Sequence, residues 1–142
     1  MTGSFADIRA HIEVKVNDAF QALTPAVPCV WDNVQESPPA LPYVVCIVSY
    51  TDTVMPTVCP TDGSVEQING NLQLSIYVPR GQGMKQLEEY GAEAMKVMNR
   101  LYDWGADVKV KAGQINGPKA LLAGDEPYAL ATISCPFVAS VD

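Results

Sequence analysis

Four cysteines, at positions 29, 46, 59 and 135, and one histidine, His11, are the first side chains to weigh for chemistry. A structural zinc site takes its ligands in closely spaced pairs, and a thioredoxin-type centre needs Cys-x-x-Cys; neither spacing occurs. Nucleophilic catalysis of the Ser-His-Asp or Cys-His kind needs a histidine beside the nucleophile. His11 lies on a predicted helix, far in sequence from every cysteine and off the centre of the apolar stripe. A surface histidine is expected. Gly81-Gln82-Gly83 precedes a helix, as a phosphate loop does, but the third glycine and the Gly-Lys-Ser/Thr ending are missing. Glu88-Glu89 and Asp125-Glu126 are sequence neighbours and expected to be solvated, unlike the facing carboxylates of a glycosidase. Trp31, Tyr43, Tyr50 and Tyr77 have no flanking Lys or Arg to make them a base-stacking platform, so they fit core or interface rings. No catalytic residue, cofactor or metal is expected. The chain does not read as an enzyme.

Charge narrows the partners. The net charge is −7, and not one Lys or Arg occurs from Val16 to Pro79. That stretch carries Asp18, Asp32, Glu36, Asp52, Asp62 and Glu66. Phosphate binding needs clustered cations, so the first half is not expected to grip nucleic acid. The asymmetry fits simple solubility, or a negative surface that meets a different partner or lines a passage repelling DNA.

With 142 residues, 48% hydrophobic and 18% charged, the chain is expected to form a single domain spanning 1–142. A chain of this size buries roughly 68–70% of its unfolded surface and needs no disulfide or metal. Met1–Asp7 has neither a charged start nor an apolar run, so no signal peptide is expected. No segment approaches the apolar length of a membrane span, and a reducing cytoplasm is the default.

The elements that must position any site follow from periodicity. Phe5, Ile8, Ile12, Val16, Ala19, Phe20 and Leu23 make one stripe of a first helix, with Ser4 and Asp7 at its start and Thr24-Pro25 at its end. Cys29-Val30-Trp31 is a short strand inside a proline-rich stretch. Tyr43–Tyr50 is apolar on both faces, hence a central strand, and Pro42 stands at its start. Thr51–Ser64 has the composition of a loop but carries Val54, Met55 and Val58, so it either folds over the core or docks on a neighbour.

Leu72, Leu74, Ile76 and Val78 alternate with Asn71, Gln73, Ser75 and Tyr77 in a second long strand, Val65–Val78. It has one oily and one uncharged polar face, and a bulge or turn is expected at Asn69-Gly70. A second helix follows, burying Met84, Leu87, Gly91, Ala94, Met95, Met98, Leu101 and Tyr102, with Gly105 as its cap. Val108–Ala112 is an edge strand guarded by Lys109 and Lys111. Asn116-Gly117-Pro118 and Gly124–Pro127 are turns around Ala120–Leu122, and Tyr128–Val138 is the last strand, holding Cys135 as a core residue. The fold class is α+β, a mostly antiparallel or mixed sheet with two main helices packed on one face.

In this order of elements the chain resembles the small tail terminator proteins of long-tailed bacteriophages, of the lambda type. The pieces carrying the likeness are the amphipathic first helix and the Trp31/proline-framed approach to strand Pro42–Tyr50. Strand Gly70–Pro79, helix Met84–Leu101 and closing strand Tyr128–Phe137 complete it. The loop around Cys59-Pro60 is longer than such a subunit needs. The resemblance implies a structural virion protein, made in the host cytoplasm, that assembles as a homo-oligomeric ring, a hexamer. The ring would cap the tail tube, bind the tail tube protein, end polymerisation and face a head-side connector or neck protein. DNA would pass through it without specific binding, and no membrane would be involved. Met55, Val58, Asn71, Gln73, Ser75 and Tyr77 are the candidate subunit or tube contacts. The alternatives are a head-closure or neck connector of the same virion, or a small cytoplasmic ligand-binding domain with a deep pocket.

Overall fold

A computed structural model describes residues 5–23, 26–31, 41–54, 67–79, 81, 85–102, 108–121 and 128–141. Its elements run α1 (Phe5–Gln21), β1 (Cys29–Trp31), β2 (Tyr43–Val54), β3 (Gln67–Pro79), α2 (Lys85–Asn99), β4 (Val108–Ala112), β5 (Asn116–Leu121) and β6 (Tyr128–Val141). The fold is α+β, with both helices on one face of a mixed sheet. Strand order is β1-β2-β3-β6-β4, and β5 also pairs with β6. Every pairing is antiparallel except that of β1 with β2.

Period-2 alternation sends Val44, Cys46 and Val48 of β2 towards the helices. It does the same for Leu72, Leu74 and Ile76 of β3 and for Ala131, Ile133, Cys135 and Phe137 of β6, all of them buried. Against them lie Ile8, Ile12, Val16 and Phe20 of α1, spaced by four so that they share one helical face. Helix α2 lies over β3 and β6, while α1 reaches both β2 and β4. The sheet therefore curls about the helices, and its other face is convex.

The described residues correct several expectations. Thr51–Val54 is not loop: β2 runs on to Val54, with Thr51 as the bulged residue between the Tyr50↔Gly70 and Asp52↔Asn69 pairs. The irregularity expected in β3 at Asn69-Gly70 thus sits on the partner strand. Gly70 has a separate reason: a Cβ there would run into Phe137 Cζ and the Ser49 carbonyl.

Asn116-Gly117-Pro118 is not a turn between strands but the start of β5, a strand the alternation pattern did not reveal. Three residues, 113–115, face two of β6, and Gly117-Pro118 faces only Ile133. Gly117 has φ +103, and a side chain there would strike the Thr132 carbonyl. The first bulge also explains a proline in an interior strand. Pro136 presents its carbonyl to Gly113 N at 2.7 Å, where the paired strand has already left the ladder.

On α2, Tyr90 and Val97 take buried places expected for Met95 and Tyr102, which are both 38% exposed. His11 is not a free surface histidine: its Nε2–H donates to the Leu101 carbonyl at 2.7 Å, tying α1 to the segment leaving α2. At the other side of α1, Arg9 Nη2 donates to Val48 O at 2.9 Å and the Tyr50 hydroxyl to Phe5 O at 2.8 Å. These bonds cover β2 beyond the short β1. Ser4, Thr24-Pro25, Met84, Gly105 and Gly124–Pro127, expected to cap or to turn, lie outside the described residues.

Gly70→Ala is expected to lose about 1–3 kcal/mol, the usual cost of overpacking. Urea denaturation followed by circular dichroism measures it, with Gly81→Ala compared to show the cost of backbone strain without crowding, since Gly81 has φ +88 and nothing lies within 4 Å of a Cβ there.

Candidate functional site: the outer sheet face

The convex face is built by the residues that alternate with the core. Tyr43, Val45, Ile47 and Ser49 come from β2, and Asn71, Gln73, Ser75 and Tyr77 from β3. Leu130, Thr132, Ser134, Pro136 and Val138 come from β6. Cross-strand register arranges them in rows: Tyr43·Tyr77·Leu130, Val45·Ser75·Thr132, Ile47·Gln73·Ser134 and Ser49·Asn71·Pro136. No described element covers these rows.

At one end three tyrosines meet. Tyr43 and Tyr77 stack with centroids 4.8 Å apart and planes 16° apart, and Tyr128 stands edge-on to Tyr77 at 5.0 Å and 70°. Both geometries suit the ring quadrupole. Burial, followed by the neighbouring Tyr128 hydroxyl, holds the Tyr43 phenol above its ordinary 10.0. Burial, then Tyr43 and Tyr128, does the same for Tyr77. The middle of the face is a hydrogen-bonding strip. Gln73 Nε2 donates to Ser75 Oγ at 3.3 Å, and Ser49 Oγ donates to the Asn71 carbonyl at 3.5 Å. Ser75 is 5% exposed even though it points away from the helices, because its row neighbours close over it.

Of the six contact candidates drawn from the sequence, Asn71, Gln73, Ser75 and Tyr77 stand together on this face. Met55 and Val58 lie outside the described residues, as do Cys59, Gln82-Gly83 and Asp125-Glu126. Tyr43 and Tyr128 were missing from the candidates. Strand parity alone places Tyr43 on the face opposite Val44, but only register brings it beside Tyr77. Trp31 and Tyr50 pack against the core.

Groups with chemical potential are scattered elsewhere. Glu88 and Glu89 are exposed on α2, and Glu89 lies 3.9 Å from Lys85. Burial pushes the Cys29 and Cys135 thiols up to about 11. Among the described residues no group of three or more His, Cys, Asp or Glu is placed to hold a metal. Also among them, no helix is long and apolar enough to cross a membrane. Clefts of about 510, 320 and 550 Å³ open beside the helices, and none is lined by Tyr43, Tyr77 or Tyr128.

Fold and face together define an α+β domain with one helical layer and an uncharged sheet face ending in stacked tyrosines. No family model and no curated protein matches the chain. Among 24 matching chains of solved structure is one of 26% sequence identity. The match covers 99% of this chain and 97% of that one, with a TM-score of 0.59, under a name that states no activity. The architecture is thus similar from end to end.

Two titrations follow. In a spectrophotometric titration at the phenolate band, Tyr128→Phe is expected to move the late-ionising tyrosines back towards 10, since it removes one repelling phenolate. Because the folded pKa values are raised, the unfolded chain ionises first, and stability is expected to fall as pH climbs through and beyond 10. Native protein alkylated at pH 8 is expected to leave Cys29 and Cys135 unmodified, and unfolding in guanidinium to expose both, as read by peptide mass mapping.

Proposed function

We propose that this protein is a structural component of a long-tailed phage virion that assembles as a ring on the end of the tail tube. There it ends tube polymerisation and offers a surface for head–tail joining. It works without catalysis or cofactor, and DNA passes through the ring without specific contacts. The single observation that carries this reading is the outer face. It spans β2, β3 and β6, contains no charged side chain among Asn71, Gln73, Ser75, Tyr77 and their row neighbours, and ends in stacked tyrosines. Such a surface suits a protein contact: tyrosines are favoured anchors, and uncharged amides and hydroxyls are cheaply desolvated at a rim. The resemblance of the sequence to tail terminators is the other support for this reading.

The mechanism is capping by one-sided complementarity. A tube grows because each ring exposes a face that binds the next. A terminal ring that matches only one half of that contact binds the end and leaves nothing for further growth. Met55 and Val58, between β2 and β3, are assigned to the tube contact, and the outer face to contacts between proteins of the ring.

The test is the mass in solution by light scattering across a concentration series, with and without tail tube protein. A hexamer, or a monomer that forms rings only on tubes, is the expected outcome, and tubes mixed with the protein are expected to stop lengthening in electron micrographs. A monomer that ignores tubes overturns the proposal. Binding to the head-side connector alone would reassign the protein to head closure.

A further inference from the structure

Cations gather where the two helices meet. Helices α1 and α2 run antiparallel: His11 reaches Leu101 O near one end of their contact, and Leu23 stands with Gln86 near the other. Between these points the helices part around a cleft of about 320 Å³. Lys15 lines it from the α1 side, and Lys96 and Arg100 from the α2 side. Ala19, a small side chain, leaves room on the α1 wall, and the buried Val97 closes the bottom.

The charge in this cleft runs against that of the molecule. The chain has a net charge of −7 and nine Lys and Arg residues, yet three of those nine line this one cleft. Among the described residues Glu93 is the one carboxylate there, and Lys96 Nζ takes its Oε1 at 3.2 Å. Lys96 and Arg100 are four apart, a spacing at which like charges repel along a helix. The dipole of α2 accounts for these two, which stand in its last turn and just beyond. It does not account for Lys15, which sits in the body of α1 and converges on them from another element.

We propose that this cleft binds a small oxyanion, a phosphate or carboxylate group carried on a compact ligand. Arg100 offers a planar fork of donors suited to two oxygens, while Lys15 and Lys96 act as point charges from either side. The apolar Ala19 and Val97 keep water from part of the site and so strengthen those attractions. The volume is at the lower end of the range of small-molecule sites, about 300–1,000 Å³, which favours a compact ligand. The neighbouring 550 Å³ cleft adds Glu89 to the shared Glu93 and Lys96, so the anion belongs at the Lys15–Arg100 end. This site lies on the helical layer, behind the sheet from the tyrosine face, and does not rest on the ring reading.

The test titrates phosphate and succinate into the isotope-labelled full chain, with chloride holding ionic strength constant, and follows amide shifts by NMR. Saturable shifts centred on residues 15–19 and 96–100 are expected. Lys15→Gln/Arg100→Gln is expected to weaken binding at least roughly tenfold, the scale of a charge-assisted hydrogen bond. Lys109→Gln/Lys119→Gln removes equal charge from the sheet and is expected to bind as the wild type does. Circular dichroism checks both variants, and Lys15→Gln alone stands in if the first pair fails to fold. Saturation by phosphate alone assigns a phosphoryl ligand, and by succinate alone a carboxylate; either supports the site. Shifts that never reach a plateau, or equal losses in the two double variants, overturn it and leave the ring reading untouched.

Discussion

All 13 residues of β3 pair with β6 in one unbroken antiparallel register, from Gln67↔Ser140 to Pro79↔Tyr128. The inward side of that ladder carries Leu72, Leu74, Ile76, Ile133, Cys135 and Phe137, each 1% exposed or less. Helix α2 lies on it, β2 extends it on one side, and β4 and β5 extend it on the other. A shift of one residue would turn both hydrophobic rows outward and bury the polar ones. Gly70 marks the closest approach, where only hydrogen fits between the Phe137 ring and the Ser49 carbonyl. Core, curvature and outer face therefore answer to the same register.

The curl follows from how the helices are accommodated. α2 covers the middle of the ladder, and α1 fills the space between the flanks, anchored by His11 on Leu101 O and by Arg9 on Val48 O. Bulges at Thr51 and at 113–118 bend both outer regions. A flatter sheet would leave α1 half solvated.

Much of this was legible in the residue pattern, for physical reasons. Ile8, Ile12, Val16 and Phe20 recur every four residues and Phe5, Ala19 and Leu23 join them at steps of three, a mixture that a helix brings to one side and a strand does not. The β3 alternation sets Asn71, Gln73, Ser75 and Tyr77 on one polar face by period alone. Methionine and tyrosine tolerate either environment, so type and spacing do not separate the exposed Met95 and Tyr102 from the buried Tyr90. Strand β5 was hidden because Asn116-Gly117-Pro118 has the chemistry of a turn, and here that chemistry serves a bulge imposed by β6. His11 looked exposed by its helical angle, but its partner lies 90 residues away. The tyrosine cluster depends on which strands are neighbours, and no local period encodes that.

The place of β6 in the sheet has a consequence for biosynthesis. The strand latest in the described chain is interior, flanked by β3 on one side and by β4 and β5 on the other. A ribosome that has released the chain only through β5 holds a β3 with one free ladder and a β5 with no partner at all. Sheet completion waits for Tyr128–Val141, even though helices α1 and α2 can form earlier from local contacts. The outer face, whose rows all cross β6, comes into being only with that last pairing.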